Sequence, residues 1–514
     1  MPYFTITDFS AGLDLRRSSL AAPAGTLRKM INCHVTPGGE IEKRLAFVHF
    51  DDAIPGSRGL VTVSDSMYAF LPITPNTPSH VPDYWRWGVG DWPVDASTLY
   101  EVLDWDVYEA NQVFAIIVLD TAGNVGRYHG SGNGTSGGSN KITDPNCGGF
   151  FCRTYQSKMY TVGGSFLFFS CVGKPREWTN SPDNADGTPG PNQGAGSIDL
   201  SAVDSDMAFS QAIEVYFDKV AIFSKTSTQF WKIDADPLQN QFQQTLRGAS
   251  TLAPKSVLQY GSGDVLYLSV DGIRSLRARN SSLAASVSDI GSPLDPVIQE
   301  LYRTMGQDWL RRAMAILQPV TGRFWMIFPD RIYVLSAFPG PKITAWSEYW
   351  PVDQAGNPIT ITDVTTYRNT IIVRDVNHRI YAYGGAGQQR PGLPDPITPG
   401  QIYDGPTIPQ NVYDSSPVEL IFPFHGGPDT PATEKTFTGI DATCTGTWDV
   451  YVALNPENPD AEDYIGKLIG PSFRQGRLPM VGTGTHISLR LRSTTPGPLT
   501  LSNIIVHYNV GEAS

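Results

Sequence analysis

Cysteine is scarce and unpatterned in this chain: Cys33, Cys147, Cys152, Cys171 and Cys444 are an odd set with no Cys-x-x-Cys and no Cys/His cluster. That pattern argues against a disulfide framework or a structural zinc site and reads as reduced thiols in the core or at the surface. Long apolar runs are missing too. No window approaches the ~18 uninterrupted apolar residues of a spanning helix, and no basic stretch leads into an apolar one at the N-terminus, so neither a membrane span nor an export signal is expected. Charge is sparse at 17%, and its balance is acidic, net −12. An acidic total speaks against tightly held nucleic acid, although DNA can still be a passing cargo.

Catalytic motifs are equally scarce. The chain carries no GxSxG, HExxH or Walker loop and no GxGxxG between a strand and a helix. Its eight histidines are scattered singly. The Gly/Ser loop GSGNGTSGGSN (130–140) lacks the Lys and the helix of a phosphate cradle, and the acidic loop NPENPDAED (455–463) lacks the ligand spacing and glycine of an EF-hand. SVDGIRS (269–275) resembles part of the Asp-box turn of sialidase propellers, with its glycine displaced and the Trp missing. The expectation is a protein with no cofactor and no metal, and not an enzyme.

What is abundant is turn chemistry and β-formers. Fifty Gly and 40 Pro accompany 11% aromatics, which favours many short strands over long helices. A unit recurs: an apolar run, a short polar turn, a second apolar run. It appears as VFAIIVLDTAGNVGRYHG (113–130), KMYTVGGSFLFFSCVG (158–173), FDKVAIFSKTSTQFWKI (217–233), DVLYLSVDGIRSLRAR (264–279), RFWMIFPDRIYVLSAF (323–338) and NTIIVRDVNHRIYAYGG (369–385), with GLVTVSDSMYAFL (59–71) a possible seventh. A spacing of roughly 45 to 60 residues suits hairpins that each form half of a propeller blade. The fold class expected is all-β: a β-propeller of six or seven blades, a C-terminal β-sandwich and an N-terminal arm. Its divisions are 1–50 (arm and hairpin), 51–390 (propeller with inserted loops and one short helix), 391–414 (linker) and 415–514 (sandwich). The helix lies in SDIGSPLDPVIQELYRTM (288–305), with Ser292 as cap, Pro293 at the first position and Leu294, Ile298 and Leu301 on one face.

Three local features draw attention. Positive charge gathers near the N-terminus as three pairs, Arg16/Arg17, Arg28/Lys29 and Lys43/Arg44. They are candidates for contact with a neighbouring subunit or an acidic partner, or for pairing with carboxylates of the same chain. From Asp91 to Asp120 the chain holds Asp91, Asp95, Glu101, Asp104, Asp106 and Glu109 with no Lys or Arg. That stretch is either a solvated propeller face or a wall that repels a polyanion. Trp85, Trp87 and Trp92 cluster in YWRWGVGDW, as anchors for a partner or as packing inside the ring.

The segment DFSAGLDLRRSSLAAPAGTLRKMINCHVTPGGEIEKRLAFV (8–48) resembles the N-terminal signature of podovirus tail nozzle proteins, the tail tubular protein B family, through Gly12, Pro23 with Gly25, Asn32, and Gly39 with Lys43/Arg44. SCVGKPREWTN (170–180) is similar to a pattern of related tail proteins through Ser170, Gly173, Pro175 and Trp178, and ASVSDIGSPLDPVIQEL (285–301) to a later family segment. The resemblance implies a propeller and a structural role in the virion: a homohexameric ring at the distal end of a short non-contractile tail, made in the bacterial host cytoplasm. Such a ring docks on the head-to-tail adaptor, supports tail fibre or tail tip proteins, and conducts the genome as transient cargo during ejection. A glycan-recognising propeller adhesin and a glycan-cleaving propeller are the alternatives.

Overall fold

Seven apolar hairpins cannot each bury two faces alone, and the chain solves this by stacking them in a ring. The computed structural model describes residues 2–23, 25–53, 56–63, 66–72, 89–94, 98–109, 112–131, 140–261, 263–279, 284–385, 411–427, 433–470 and 478–510. Blade one is Arg58–Val63, Ser66–Pro72 and Val89–Val94, the last strand parallel to its neighbour. Blades two to six are four-stranded antiparallel meanders whose first strands are Glu101–Tyr108, Phe151–Tyr155, Ala212–Tyr216, Leu258–Tyr260 and Met314–Leu317. Blade seven begins with Ile361–Tyr367 and takes its fourth strand from the other end of the chain. The first strand of each blade touches that of the next all the way round, from blade one through blade seven and back to one. The fold is an all-β propeller, with seven blades among the described residues.

Each hairpin read from the sequence in blades two to seven is the middle pair of strands of its blade. These pairs are buried almost throughout, as in Lys158–Gly163 and Phe324–Ile327. Sandwiched between neighbouring blades, they show water neither face and therefore read as continuous apolar runs.

The N-terminal residues do not form a separate arm. Strands β1 (Tyr3–Ile6), β2 (Lys29–Ile31), β3 (Cys33–Val35), β4 (Ile41–Lys43) and β5 (Phe47–Asp52) are shared between two bodies. β5 closes the ring by pairing with Arg379–Tyr383 of blade seven. β1 and β4 pair with the C-terminal strand Thr500–Val510, so the first sheet of the sandwich is built from both chain ends. β2 lies between the outer strand of blade six, which it meets in parallel at Ile31 and Glu348, and Val418–Ile421 of the sandwich, which it meets antiparallel. One nine-stranded sheet thus runs from the propeller into the sandwich. The core follows: Leu13, Leu27, Met30, Phe324, Trp346, Leu420, Trp448 and Ile504 belong to one apolar cluster. The boundary expected at residue 50 falls inside β5, and the strands before it are already paired with the sandwich and with blade six, where they cover edges that would otherwise stand open. Most of the expected linker, 391–410, lies outside the described residues.

The helix is present as α1 (Asp295–Met305), entered through a short 3-10 turn at Ser292–Leu294, and it buries Leu294, Ile298 and Leu301. Its start differs from the expectation. Ser292 Oγ makes no cap and instead accepts from Arg16 Nη1 at 2.9 Å, while Asp295 binds Arg274. All five cysteines are buried, unpaired thiols.

Candidate functional site

Two constellations concentrate the polar chemistry of the described residues. The first is the junction between propeller and sandwich, and it starts from Asn32. Asn32 stands at φ +56°, a left-handed conformation that Asn tolerates better than most residues. That twist turns its side chain inward, where Oδ1 accepts from Arg44 Nε and from the Trp350 amide, both at 2.9 Å, while Nδ2 donates to Pro417 O at 2.8 Å. Arg44 is fully buried; it donates also to Leu45 O at 2.7 Å, Trp350 O at 3.0 Å and Asp414 Oδ2 at 3.0 Å. Lys43 is buried beside it, with Nζ donating to Asp414 O at 2.6 Å and Thr495 O at 2.7 Å. Burial pushes its ammonium down to about 8.

The expectation that Lys43 and Arg44 meet a neighbouring subunit is therefore corrected. Their donors are consumed by blade six, the segment after 411 and the sandwich of the same chain. Lys29 pairs with Glu419 at 2.8 Å, Arg28 donates to Asp14 O and Arg17 O, and Arg16 pairs with Asp14 at 2.9 Å. Of the six, only Arg17 is exposed with no hydrogen-bonded partner for its side chain among the described residues; it lends Asp14 its charge.

The glycines of the same segment serve the same junction. A Cβ on Gly12 would lie 2.7 Å from Trp346 O, and one on Gly25 would lie 1.5 Å from Asp8 O. Leu15 N donates to Pro293 O at 3.0 Å, and Trp346 Nε1 donates to Ile290 O at 2.9 Å. Segments 8–48 and 285–301, distant in sequence, thus meet around Trp346. The third segment, 170–180, closes blade three: Trp178 is buried, its Nε1 donating to Pro175 O at 3.0 Å and its ring packing on Phe114.

The second constellation lies on the ring axis. The first strands of blades two, three and four are stapled by carboxylates that accept from a neighbouring blade. Asp104 of blade two accepts from the Cys152 amide at 2.8 Å and from Arg153 Nη1 at 3.2 Å. Asp106 accepts from the Thr154 amide at 2.5 Å, and Arg153 Nε reaches on to Glu214 of blade four at 3.1 Å. Burial is the main reason that the Asp106 carboxyl is pushed up to about 6, against the lowering pull of Arg153. From the other side of the ring, Lys255 of blade five donates to Val102 O of blade two at 2.7 Å. The axis there is no wider than one lysine can cross, too narrow for a duplex whose major groove alone is about 12 Å wide.

The acidic stretch is consequently not one wall. Asp91 lies on the outer strand of blade one, Asp95 is outside the described residues, and Asp104 and Asp106 staple the axis while Glu101 and Glu109 are exposed at the ends of their strand. Sequence reading missed Arg153, Glu214 and Lys255, whose partners are set by the ring alone. Trp85 and Trp87 are outside the described residues, as is the side chain of Trp92. Among the described residues no group of three or more His, Cys, Asp or Glu is placed to hold a metal ion.

No protein-family model and no curated protein matches the sequence. Solved structures similar to the chain include BamB from Moraxella catarrhalis, 9% identical over 66% of this chain and 97% of that one with a TM-score of 0.35. A putative 6-phosphogluconolactonase from Bacteroides uniformis is 11% identical over 55% and 80%, TM-score 0.34. The computationally designed Ika8 protein is 9% identical over 66% and 99%, TM-score 0.31. Likeness at this level transfers no activity, and the propeller assignment stands on the strand pairing itself.

Proposed function

We propose that the chain is a structural subunit of a short non-contractile phage tail, of the tail nozzle kind. The observation that carries this reading is the meeting of the nozzle-like segments. Gly12, Gly25, Asn32, Lys43 and Arg44 from segment 8–48 and Ile290, Ser292 and Pro293 from segment 285–301 assemble the junction at which propeller and sandwich share one sheet and one core. Their role is architectural, as befits a subunit that bears load in a ring. DNA would pass through a lumen between subunits, since the propeller's own axis is spanned by Lys255. Arg17 is the residue of the basic set left to meet an adaptor or neighbour, through charge complementarity that sets register and association rate.

Quantitative mass spectrometry of purified particles tests the reading. A six-fold ring under a twelve-fold portal gives about one copy per two portal subunits. Absence from particles, or a ratio typical of trimeric fibres, rejects it and leaves a receptor-binding propeller as the alternative.

The axial carboxylates favour one second reading, a glycan-cleaving propeller. Asp106, pushed up to about 6 beside Asp104, keeps its proton to higher pH than an ordinary carboxyl, as a general acid next to a second carboxylate does. Their engagement with the Thr154 and Cys152 amides weighs toward stapling instead. Hydrolysis of host-envelope glycans that is lost in Asp106→Asn would establish the enzymatic reading over the structural one.

A further inference from the structure

The sandwich carries a cleft of about 590 Å³ lined by Tyr3, Phe4, Thr5 and Ile6 on one side and by Phe424, His425, Gly426 and Gly427 on the other. Four consecutive residues of a strand can line one cleft only through the main-chain edge, because their side chains alternate between faces. They do alternate here: Phe4 and Ile6 are buried, while Tyr3 and Thr5 are exposed. Among the described residues β1 has a partner on one side only, the strand Thr500–Val510. The bond from the Tyr508 amide to Pro2 O makes residues 2, 4 and 6 the hydrogen-bonded positions of that ladder. Tyr3 and Thr5 therefore aim their N–H and C=O groups away from the sheet and into the cleft.

The facing wall holds a second unmet partner. His425 is 8% exposed, and its Nε2 is buried with no hydrogen bond among the described residues, although its main chain is tied to Ile487 in both directions. Burial keeps the ring neutral, and Phe4 packs edge-on against it at 6.4 Å. A strand edge unpaired among the described residues and the His425 ring line the same cleft, with Leu20 exposed beside it.

We propose that this cleft is a strand-addition site: it takes an extended polypeptide segment of a partner protein, about four residues and ~13 Å long, as a further strand on β1. The segment supplies main-chain groups to Tyr3 and Thr5, an apolar side chain over Phe424 and Ala22, and a hydroxyl or carboxyl group to His425. This site is independent of the nozzle reading, since it requires only the sandwich edge.

The test selects a yeast-displayed library of random octapeptides against the full-length chain, and then measures the enriched peptide in solution by fluorescence anisotropy. The expected result is an enriched pattern of alternating apolar residues that slows hydrogen exchange at residues 3–6. Its affinity should fall at least tenfold in Thr5→Pro, which deletes an edge N–H with no partner in the fold. It should also fall at least tenfold when alternate amides of the peptide itself are N-methylated, a control that needs no protein variant. No enriched pattern, equal binding by the N-methylated peptide, or exchange protection elsewhere would overturn the proposal.

Discussion

Arg44 and Asp414 stand 370 positions apart in the chain and meet at 3.0 Å with both side chains buried. This pair, with Asn32 between them and Trp350, ties the start of the chain to blade six and to the entry of the sandwich. Removing one member of a buried pair leaves the other charge without compensation, at a cost of about 3–5 kcal/mol. Arg44→Leu should lower stability by that amount in urea denaturation. Arg17→Glu, on the exposed neighbour, should change it by less than about 0.5 kcal/mol. A reversed ranking would mean that the basic pairs act outside the fold.

Two glycines of the same segment separate steric from conformational need. Gly25 stands at φ +86° with no room for a Cβ, whereas Gly39 stands at φ +82° with nothing within 4 Å of one. Gly39→Ala should lose about 1 kcal/mol, the price of a left-handed conformation alone. Gly25→Ala should lose more than about 3 kcal/mol, since the Asp8 backbone must move. Denaturation midpoints of the two variants, compared at equal slope, measure the difference.

Stability should depend on pH through groups of opposite sign. Burial holds His34, His129 and His425 down at about 4, so each gains a proton on unfolding below about pH 6.5. Their contribution is full above about pH 6.5 and is lost as pH falls through about 4. Asp106 runs the other way. Its folded carboxyl, up at about 6, holds a proton that the unfolded chain releases above about pH 4, so its contribution declines as pH rises through 6. Near pH 5 each of these histidines takes up about one proton on unfolding and Asp106 releases about one. Urea titrations from pH 4.5 to 7 should show the slope of stability against pH near pH 5 rising by about one proton in Asp106→Asn and falling by about one in His129→Gln, relative to the unsubstituted chain.

Shared strands predict mutual dependence of the chain ends. A fragment of residues 411–514 lacks β1, β2 and β4 and exposes the edges they cover, so it should show no cooperative unfolding by itself. Adding a peptide of residues 1–46 should restore a transition seen by circular dichroism. Cooperative folding of the fragment alone would show that the N-terminal strands are dispensable.

The all-β class, the repeated hairpin and helix α1 are legible in the order of the amino acids alone. Strands such as Val265 to Leu268 and Ile371 to Val373 are covered on both faces by neighbouring blades, so their continuous apolar runs survive in one dimension. The first strands were not legible. Glu101–Tyr108 mixes Asp104 and Asp106 among apolar residues because it faces the axis, and Leu258–Tyr260 is too short to show a period. The count of seven described blades, the closure through β5 and the fusion of propeller to sandwich emerge only in the folded chain. Each depends on pairings hundreds of residues apart, such as Tyr3 with His507 and Phe47 with Tyr383. Local propensity carries no record of such partners. The basic pair Lys43/Arg44 shows the difference most plainly: composition reports its charge, whereas the carbonyls that surround it make that charge internal.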